Sequence, residues 1–383
     1  MKILTVIGAR PQIIKAAALS RAIKTHYPDQ IKEVIVHTGQ HYDTNMSNIF
    51  FHELGIPMPD YNLGVGSASH GQQTAKMIEG IEKILIAEQP NYIVLYGDTN
   101  STLAGAIAAS KIHLPIVHIE AGLRSFNKSM PEEINRIVCD HCSTLLFTPT
   151  TAGYANLLNE GFKAHTKTPF TSDNPGVFHC GDVMYDNSLY FTQKAMEIKA
   201  GFLTSKKLKP NHYILSTIHR DHNTDQPERL RNIFTALLHI AQESKQPIYL
   251  PMHPRTSKLL EQNLGERLYK LIIQEPLIRL EQPASFLEMI LLEKNASLII
   301  TDSGGVQKEA YFFQKACIIL RSETEWTEIV DAGTALIADA DTLQIINAWK
   351  HFNEQPPTNF PPLFGDGQAA RFIAAQMLSN QVE

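Results

Sequence analysis

Short runs of β-branched and other apolar residues recur along the whole chain, each followed by a stretch whose apolar positions return at helical spacing. The runs fall at residues 2–8, 33–38, 92–97, 115–120, 144–149, 177–181, 213–218, 247–251, 277–281, 297–301 and 316–320. Near-continuous apolar strands are buried on both faces, so this alternation predicts an α/β fold of Rossmann-like, doubly wound parallel sheets covered by helices. Residues 163–176 are polar, rich in Thr and Pro, and without periodicity. They mark the predicted boundary, with one unit over 1–170 and a second over 171–365. No short-period repeat is visible, which sets aside solenoids and propellers.

Open parallel sheets bind ligands beyond the carboxyl ends of their strands. Polar residues gather at those ends here. Arg10, Pro11 and Lys15 follow the first strand, Asp98 and Thr99 the third, and Glu120 and Arg124 the fourth, with Glu132, Glu133 and Arg136 a little further on. In the second half, His219 and Arg220 follow one strand and His253 and Arg255 another. Ser303, Gly304 and Gly305 come directly after the apolar run 297–300 and open a helix, an arrangement whose free amides and dipole favour an anion such as phosphate.

Each element alone has a plainer reading. A diglycine can simply turn the chain, Asp98 can cap a helix, and one of Glu132 and Glu133 can serve only the helix dipole. His118 and His179 inside strands read as satisfied core histidines, and His253 has a structural reading too. Their convergence is harder to explain by capping. Acids from one unit and anion-holding groups from the other, facing across a cleft, form a reaction site for a phosphorylated ligand.

Composition removes competing classes. Lys and Arg number 34 against 39 Asp and Glu, a net charge of -5 that supplies no basic field for nucleic acid or an anionic membrane. No uncharged 18-residue stretch spans a bilayer and the apolar run before Arg10 is too short for a leader, so a cytoplasmic protein is expected. The four cysteines make no disulfide framework. Cys139 and Cys142 form a lone CxxC on a predicted helix, which reads as packing, and no metal is expected.

Taken in order, Gly8-Ala9-Arg10-Pro11 with Lys15, Gly97-Asp98-Thr99, Ile119-Glu120-Ala121-Gly122-Leu123-Arg124, Pro131-Glu132-Glu133 with Asn135-Arg136, His219-Arg220, Thr301-Asp302-Ser303-Gly304-Gly305 with Gln307 and Glu309, and Gly365-Asp366-Gly367-Gln368-Ala369 resemble the non-hydrolysing UDP-N-acetylglucosamine 2-epimerase family essentially end to end. The resemblance implies a GT-B glycosyltransferase-type fold, a C-terminal helix over 366–383 that completes the first domain, a homodimer, and no cofactor. Gln12 and Trp326 depart from the commonest pattern. With residues 39–46, 61–67 and 323–326 they look like the branch that epimerises UDP-2,3-diacetamido-2,3-dideoxy-glucuronate to the mannuronate isomer, for surface polysaccharide precursors. UDP-N-acetylglucosamine is the alternative substrate.

The implied chemistry is elimination of UDP to a glycal and its readdition. Arg10, Lys15, His219 and the Ser303–Gly304–Gly305 turn would take up charge on the departing diphosphate, and Glu309 the ribose hydroxyls. Asp98, Glu120 and Glu132 would supply base and acid on the two faces of the ring, with Arg136 one turn beyond Glu132 to hold it. A glycosyltransferase of the same fold needs only one catalytic acid, a sensor of UDP-sugars needs none, and a hydrolysing relative differs in its products.

Overall fold

The computed structural model describes residues 1–39, 55–252 and 254–380, in two compact units. The first comprises Met1–Leu189 and Pro362–Glu383, the second Tyr190–Pro361.

The first unit is built on β1 (Lys2–Ile7), β2 (Lys32–His37), β3 (Tyr61–Asn62), β4 (Tyr92–Tyr96), β5 (Ile116–Ile119), β6 (Leu145–Thr148) and β7 (Gly176–His179), in the order β3-β2-β1-β4-β5-β6-β7. Every pairing is parallel. Both faces are covered, which is why Leu4, Val6, Ile93 and Leu95 are all fully buried although the strands show no polar face. Strand order reverses between β1 and β4, and the crevice beyond their carboxyl ends is where such sheets hold ligands. The helices Arg10–His26 and Asn100–Lys111 start near this point.

The second unit repeats the scheme with β8 (Ile214–Thr217), β9 (Ile248–Pro251), β10 (Ile278–Glu281), β11 (Leu298–Thr301), β12 (Cys317–Ile319) and β13 (Ala335–Ile337), ordered β10-β9-β8-β11-β12-β13. Its reversal lies between β8 and β11. A core of Ile233, Phe234, Leu237, Ile300 and Ile318 with their neighbours packs under the Pro227–Ser244 helix.

The division differs from the boundary expected near residue 170. The polar segment 163–176 is a loop inside the first unit, because β7 after it pairs with β6 in register Phe147↔Phe178. The change of unit comes at Leu189 and Tyr190, within the continuous Val183–Ile198 helix, where no Pro or Gly punctuates the chain. The Ala369–Ser379 helix lies in the first unit, its first two amides donating to Asp186 at 3.2 and 2.8 Å.

Candidate active site

At the first unit's reversal the chain leaves β4 through Gly97, whose φ of +61° places it in the left-handed region that suits glycine. A Cβ on Gly97 would sit 2.9 Å from Lys15 Nζ and 3.8 Å from a Glu120 carboxylate oxygen. The Lys15 ammonium and Glu120 carboxylate form an ion pair, their side chains only 12% and 11% exposed. Glu120 itself has φ +74°. A side chain held there costs on the order of 1–3 kcal/mol and persists where the surroundings over-determine it, a frequent property of functional positions.

Asp98 follows Gly97. Arg136 Nη2 donates to its carboxylate, and Asn135 Nδ2 donates to its main-chain carbonyl at 2.8 Å. Both donors lie on the Pro131–Cys142 helix, which therefore orients Asp98 by side chain and main chain together.

That helix corrects one expectation. Arg136 pairs with Glu133 at 3.0 Å, and not with Glu132. Glu133 is buried, accepts from the Ser125 and Phe126 amides at 2.9 Å each, and is held below the usual carboxylate range: burial opposes the charge, but the Ser125 amide and Arg136 outweigh it. Glu132 points to solvent and has no hydrogen-bond or ion-pair partner among the described residues. Of the two adjacent acids, Glu133 builds the loop and Glu132 remains available for chemistry.

Below the acids runs a buried chain of alternating charge. His118 Nδ1 is 2.7 Å from Asp140, Asp140 accepts from Arg124 at 2.7 Å and from the Gly122 amide at 3.1 Å, and Arg124 pairs with Glu160 at 2.6 Å. The other ring nitrogen of His118 is 2.8 Å from the Gly97 carbonyl oxygen. Burial opposes charge on this ring, yet Cys139 and Asp140 beside it drive its pKa well above the usual histidine value.

In the second unit, Asp302 at the end of β11 is fully buried and gathers the loop after β8. It accepts from the His219 amide at 3.1 Å, the Arg220 amide at 3.0 Å and Asn223 Nδ2 at 3.2 Å. The His219 ring lies 3.6 Å from the same carboxylate and is 44% exposed, so it is aimed and accessible. Ser303 caps the Gly304–Phe312 helix through Val306 N. The two glycines are not equivalent. Gly304 is buried, and a Cβ there would lie 2.9 Å from Glu325 Oε1, whereas Gly305 is exposed and its nearest neighbour would be Ser303 Oγ at 3.9 Å. Gly305 is thus the open amide position, while Gly304 is small because Glu325, paired with Arg321 at 2.7 Å, packs against it. Glu309 lies on the same helix, about one and a half turns from its start.

The structure brings Lys15, Asp98, Glu120 and Arg136 together around Gly97, and His219 with Ser303 and the glycines around Asp302. Arg10 is exposed at the first residue of its helix. In the sequence Asn135 and Asp302 stand only as members of motifs, with no role of their own, His118 reads as a core histidine, and Asp140 is not singled out. Asp302 carries a signal in its place directly before Ser303, and Asn135 in its place directly before Arg136.

Gln12 is not a substrate-facing residue. It is 1% exposed, accepts from the Gly8 and Ala9 amides at 2.9 and 3.2 Å, and donates to Tyr96 O and Thr102 Oγ1 at 3.1 and 3.0 Å, tying the ends of β1 and β4. Trp326 is buried under Lys308, whose ammonium lies 4.1 Å from the ring centroid. Of the segment 39–46, all but Gly39 lies outside the described residues. Among the described residues no cluster of three or more His, Cys, Asp or Glu could hold a metal ion, and no helix is long and apolar enough to cross a membrane.

The chain is similar to known proteins along nearly its whole length. The family model described as UDP-N-acetylglucosamine 2-epimerase matches residues 22–378. A Methanococcus maripaludis protein named a UDP-N-acetylglucosamine 2-epimerase homolog is 46% identical over 370 residues, 97% of each chain. The UDP-2,3-diacetamido-2,3-dideoxy-D-glucuronate 2-epimerase of Pseudomonas aeruginosa is 46% identical over 374 residues, 98% of each chain. The crystal structure of Methanocaldococcus jannaschii UDP-GlcNAc 2-epimerase in complex with UDP-GlcNAc and UDP superposes with a TM-score of 0.83 at 37% identity, covering 99% of this chain and 100% of that one.

Proposed function

Because the chain belongs to the UDP-N-acetylglucosamine 2-epimerase family, we propose that it inverts C2 of a UDP-linked 2-acetamido sugar, without hydrolysis and without a nicotinamide. The observation that carries this reading is the pair of carboxylates, Asp98 and Glu120, held by Arg136 and Lys15 on either side of the Gly97 turn.

C2–H of such a sugar adjoins no carbonyl, so a carboxylate cannot remove it unaided. The C1–O bond must break as well, its electron pair leaving with UDP. A carboxylate takes the C2 proton and the C1–C2 double bond of a glycal forms. A second carboxylic acid then protonates C2 from the opposite face while a diphosphate oxygen adds back to C1. Asp98, Glu120 and the solvent-facing Glu132 supply the proton transfers. Arg10, Lys15, His219, Ser303 and the amide of Gly305 receive the charge that grows on the diphosphate, and Glu309 takes the ribose hydroxyls.

For the substrate we favour UDP-2,3-diacetamido-2,3-dideoxy-glucuronate, supported by 46% identity to the Pseudomonas enzyme against 41% and 39% to the UDP-N-acetylglucosamine 2-epimerases of Methanococcus maripaludis and Methanocaldococcus jannaschii, although the Methanococcus maripaludis homolog of that enzyme is also 46% identical. Gln12 adds nothing to this preference, since its polar atoms are consumed within the fold. A cytoplasmic homodimer serving surface polysaccharide synthesis belongs to the same reading. The test is incubation with each sugar nucleotide in heavy water. Deuterium at C2 with conversion to the manno isomer is expected, fastest with the uronate. A preference for UDP-N-acetylglucosamine would move the substrate to the main branch, and no exchange with either would end the epimerase reading.

A further inference from the structure

We propose that His118 is a positioning residue: as a buried imidazolium bonded to both Gly97 O and Asp140, it ties the turn that carries Asp98 to the turn that carries Glu120. The inference rests on the reading of those two acids as the proton-transfer groups.

The charge state follows from the partners. His118 is fully buried, with Nε2 2.8 Å from a main-chain carbonyl oxygen and Nδ1 2.7 Å from Asp140. A carbonyl oxygen only accepts. Asp140 is ionised, because Arg124 and the Gly122 amide also donate to it at 2.7 and 3.1 Å. Both ring nitrogens must then be donors, which only the imidazolium provides. A histidine that merely filled space would need one donor, as either neutral tautomer.

The ends of this link are informative. One is the carbonyl of Gly97, the residue before Asp98. The other, through Asp140, is the amide of Gly122, two residues after Glu120. Gly97, Glu120 and Gly122 all have positive φ, at +61°, +74° and +78°. Two turns with left-handed backbone, following the neighbouring strands β4 and β5, are thereby joined across a single pair of side chains. Asp140 also shares its helix with Asn135 and Arg136, which hold Asp98 directly, so the distance between the two carboxylates is set from one helix.

The test compares two replacements. The amide nitrogen of asparagine falls near Nδ1 and keeps the link to Asp140, and that of glutamine falls near Nε2 and keeps the link to Gly97. His118→Asn is expected to lower kcat for C2 exchange about 30-fold or more, with KM and UDP affinity within about twofold, since misplacement of order 1 Å acts on the chemical step. His118→Gln, which keeps Gly97 and loses Asp140, breaks the tie at its other end and should lower kcat comparably, again with KM within about twofold. A packing role would lower Tm in both and leave the kcat of the folded protein alone. Wild-type kcat in either folded variant overturns the proposal. Should neither variant fold, the wild-type protein decides: ring-nitrogen NMR of labelled histidine should show one buried ring with both nitrogens protonated at about pH 9, well above the ordinary histidine pKa. A neutral ring overturns it. Wild-type protein that exchanges no C2 hydrogen would refute the epimerase reading itself, a different outcome from exchange that ignores His118.

Discussion

Gly304 and Gly305 should respond in opposite directions to the same added methyl group. Neither has positive φ, so alanine is allowed by the backbone at both. At Gly305 the new Cβ meets nothing closer than 3.9 Å. Replacing glycine by alanine in a helix is worth about 0.5–1 kcal/mol, and for a unit of this size each kcal/mol moves Tm by about 2–4 °C, so Gly305→Ala should melt about 1–4 °C higher. The same methyl stands where an anion must approach the open helix end. Losing one hydrogen bond to a charged group costs about 1.5–3 kcal/mol, or about 10- to 100-fold in the Kd for UDP. Gly304→Ala instead drives a Cβ to 2.9 Å from Glu325 Oε1 and parts Glu325 from Arg321. It should lose about 1–2 kcal/mol of stability, within the ordinary range for one substitution. Scanning calorimetry and isothermal titration with UDP measure both quantities. If Gly305→Ala binds UDP like wild type, the turn holds no phosphate. If both variants melt lower, the distinction between the two glycines is mistaken.

The neighbouring acids of the Pro131–Cys142 helix should separate in the same way: Glu132→Gln lowers turnover by at least about 100-fold at unchanged Tm, and Glu133→Gln lowers Tm because two amides and Arg136 lose a charged acceptor, which melting curves and C2-exchange rates resolve. Gly97→Ala, with a methyl 2.9 Å from Lys15 Nζ, should cost about 1–2 kcal/mol for the left-handed backbone and lower kcat about tenfold or more by displacing the Lys15–Glu120 pair; wild-type kcat would show that this pair does not need its position. Burial pushes the Asp186 carboxyl up to about 6 despite the Ala370 and Ala369 amides. Its folded pKa is the higher one, so its contribution to stability is full below the unfolded value near 4 and is lost as pH rises to about 6, on the order of 3 kcal/mol. Denaturant titrations across that window should show this slope in wild type and its absence in Asp186→Asn.

Strands buried on both faces declared themselves as β-branched runs, and eleven of them were legible. Tyr61–Asn62 and Ala335–Ile337 were not, being two and three residues long with no pattern of their own. The polar residues at strand ends located the reversal points, because a doubly wound sheet leaves side chains of that kind nowhere else to converge. Partnership was harder to read. Helical spacing allows Arg136 to reach Glu132 or Glu133, and the amides of Ser125 and Phe126 that recruit Glu133 belong to a loop whose path only the fold determines. Gln12 resembled a specificity marker until its four hydrogen bonds were seen to lie within the fold. The buried bond from His118 to Gly97 O spans 21 residues and has no periodicity to announce it.

The split of the first unit into residues 1–189 and 362–383 has a consequence for synthesis. A ribosome delivers the second unit, Tyr190–Pro361, as one uninterrupted segment, complete before the last part of the first unit exists. Until the Ala369–Ser379 helix emerges, the Arg10–His26 helix it packs against lacks its cover, Phe147 and Phe178 lack the ring of Phe372, and Asp186 has no amides to accept from. The acid-bearing sheet therefore waits in a partly exposed state while the later-made unit folds, and residues translated after that unit are the ones that close its core.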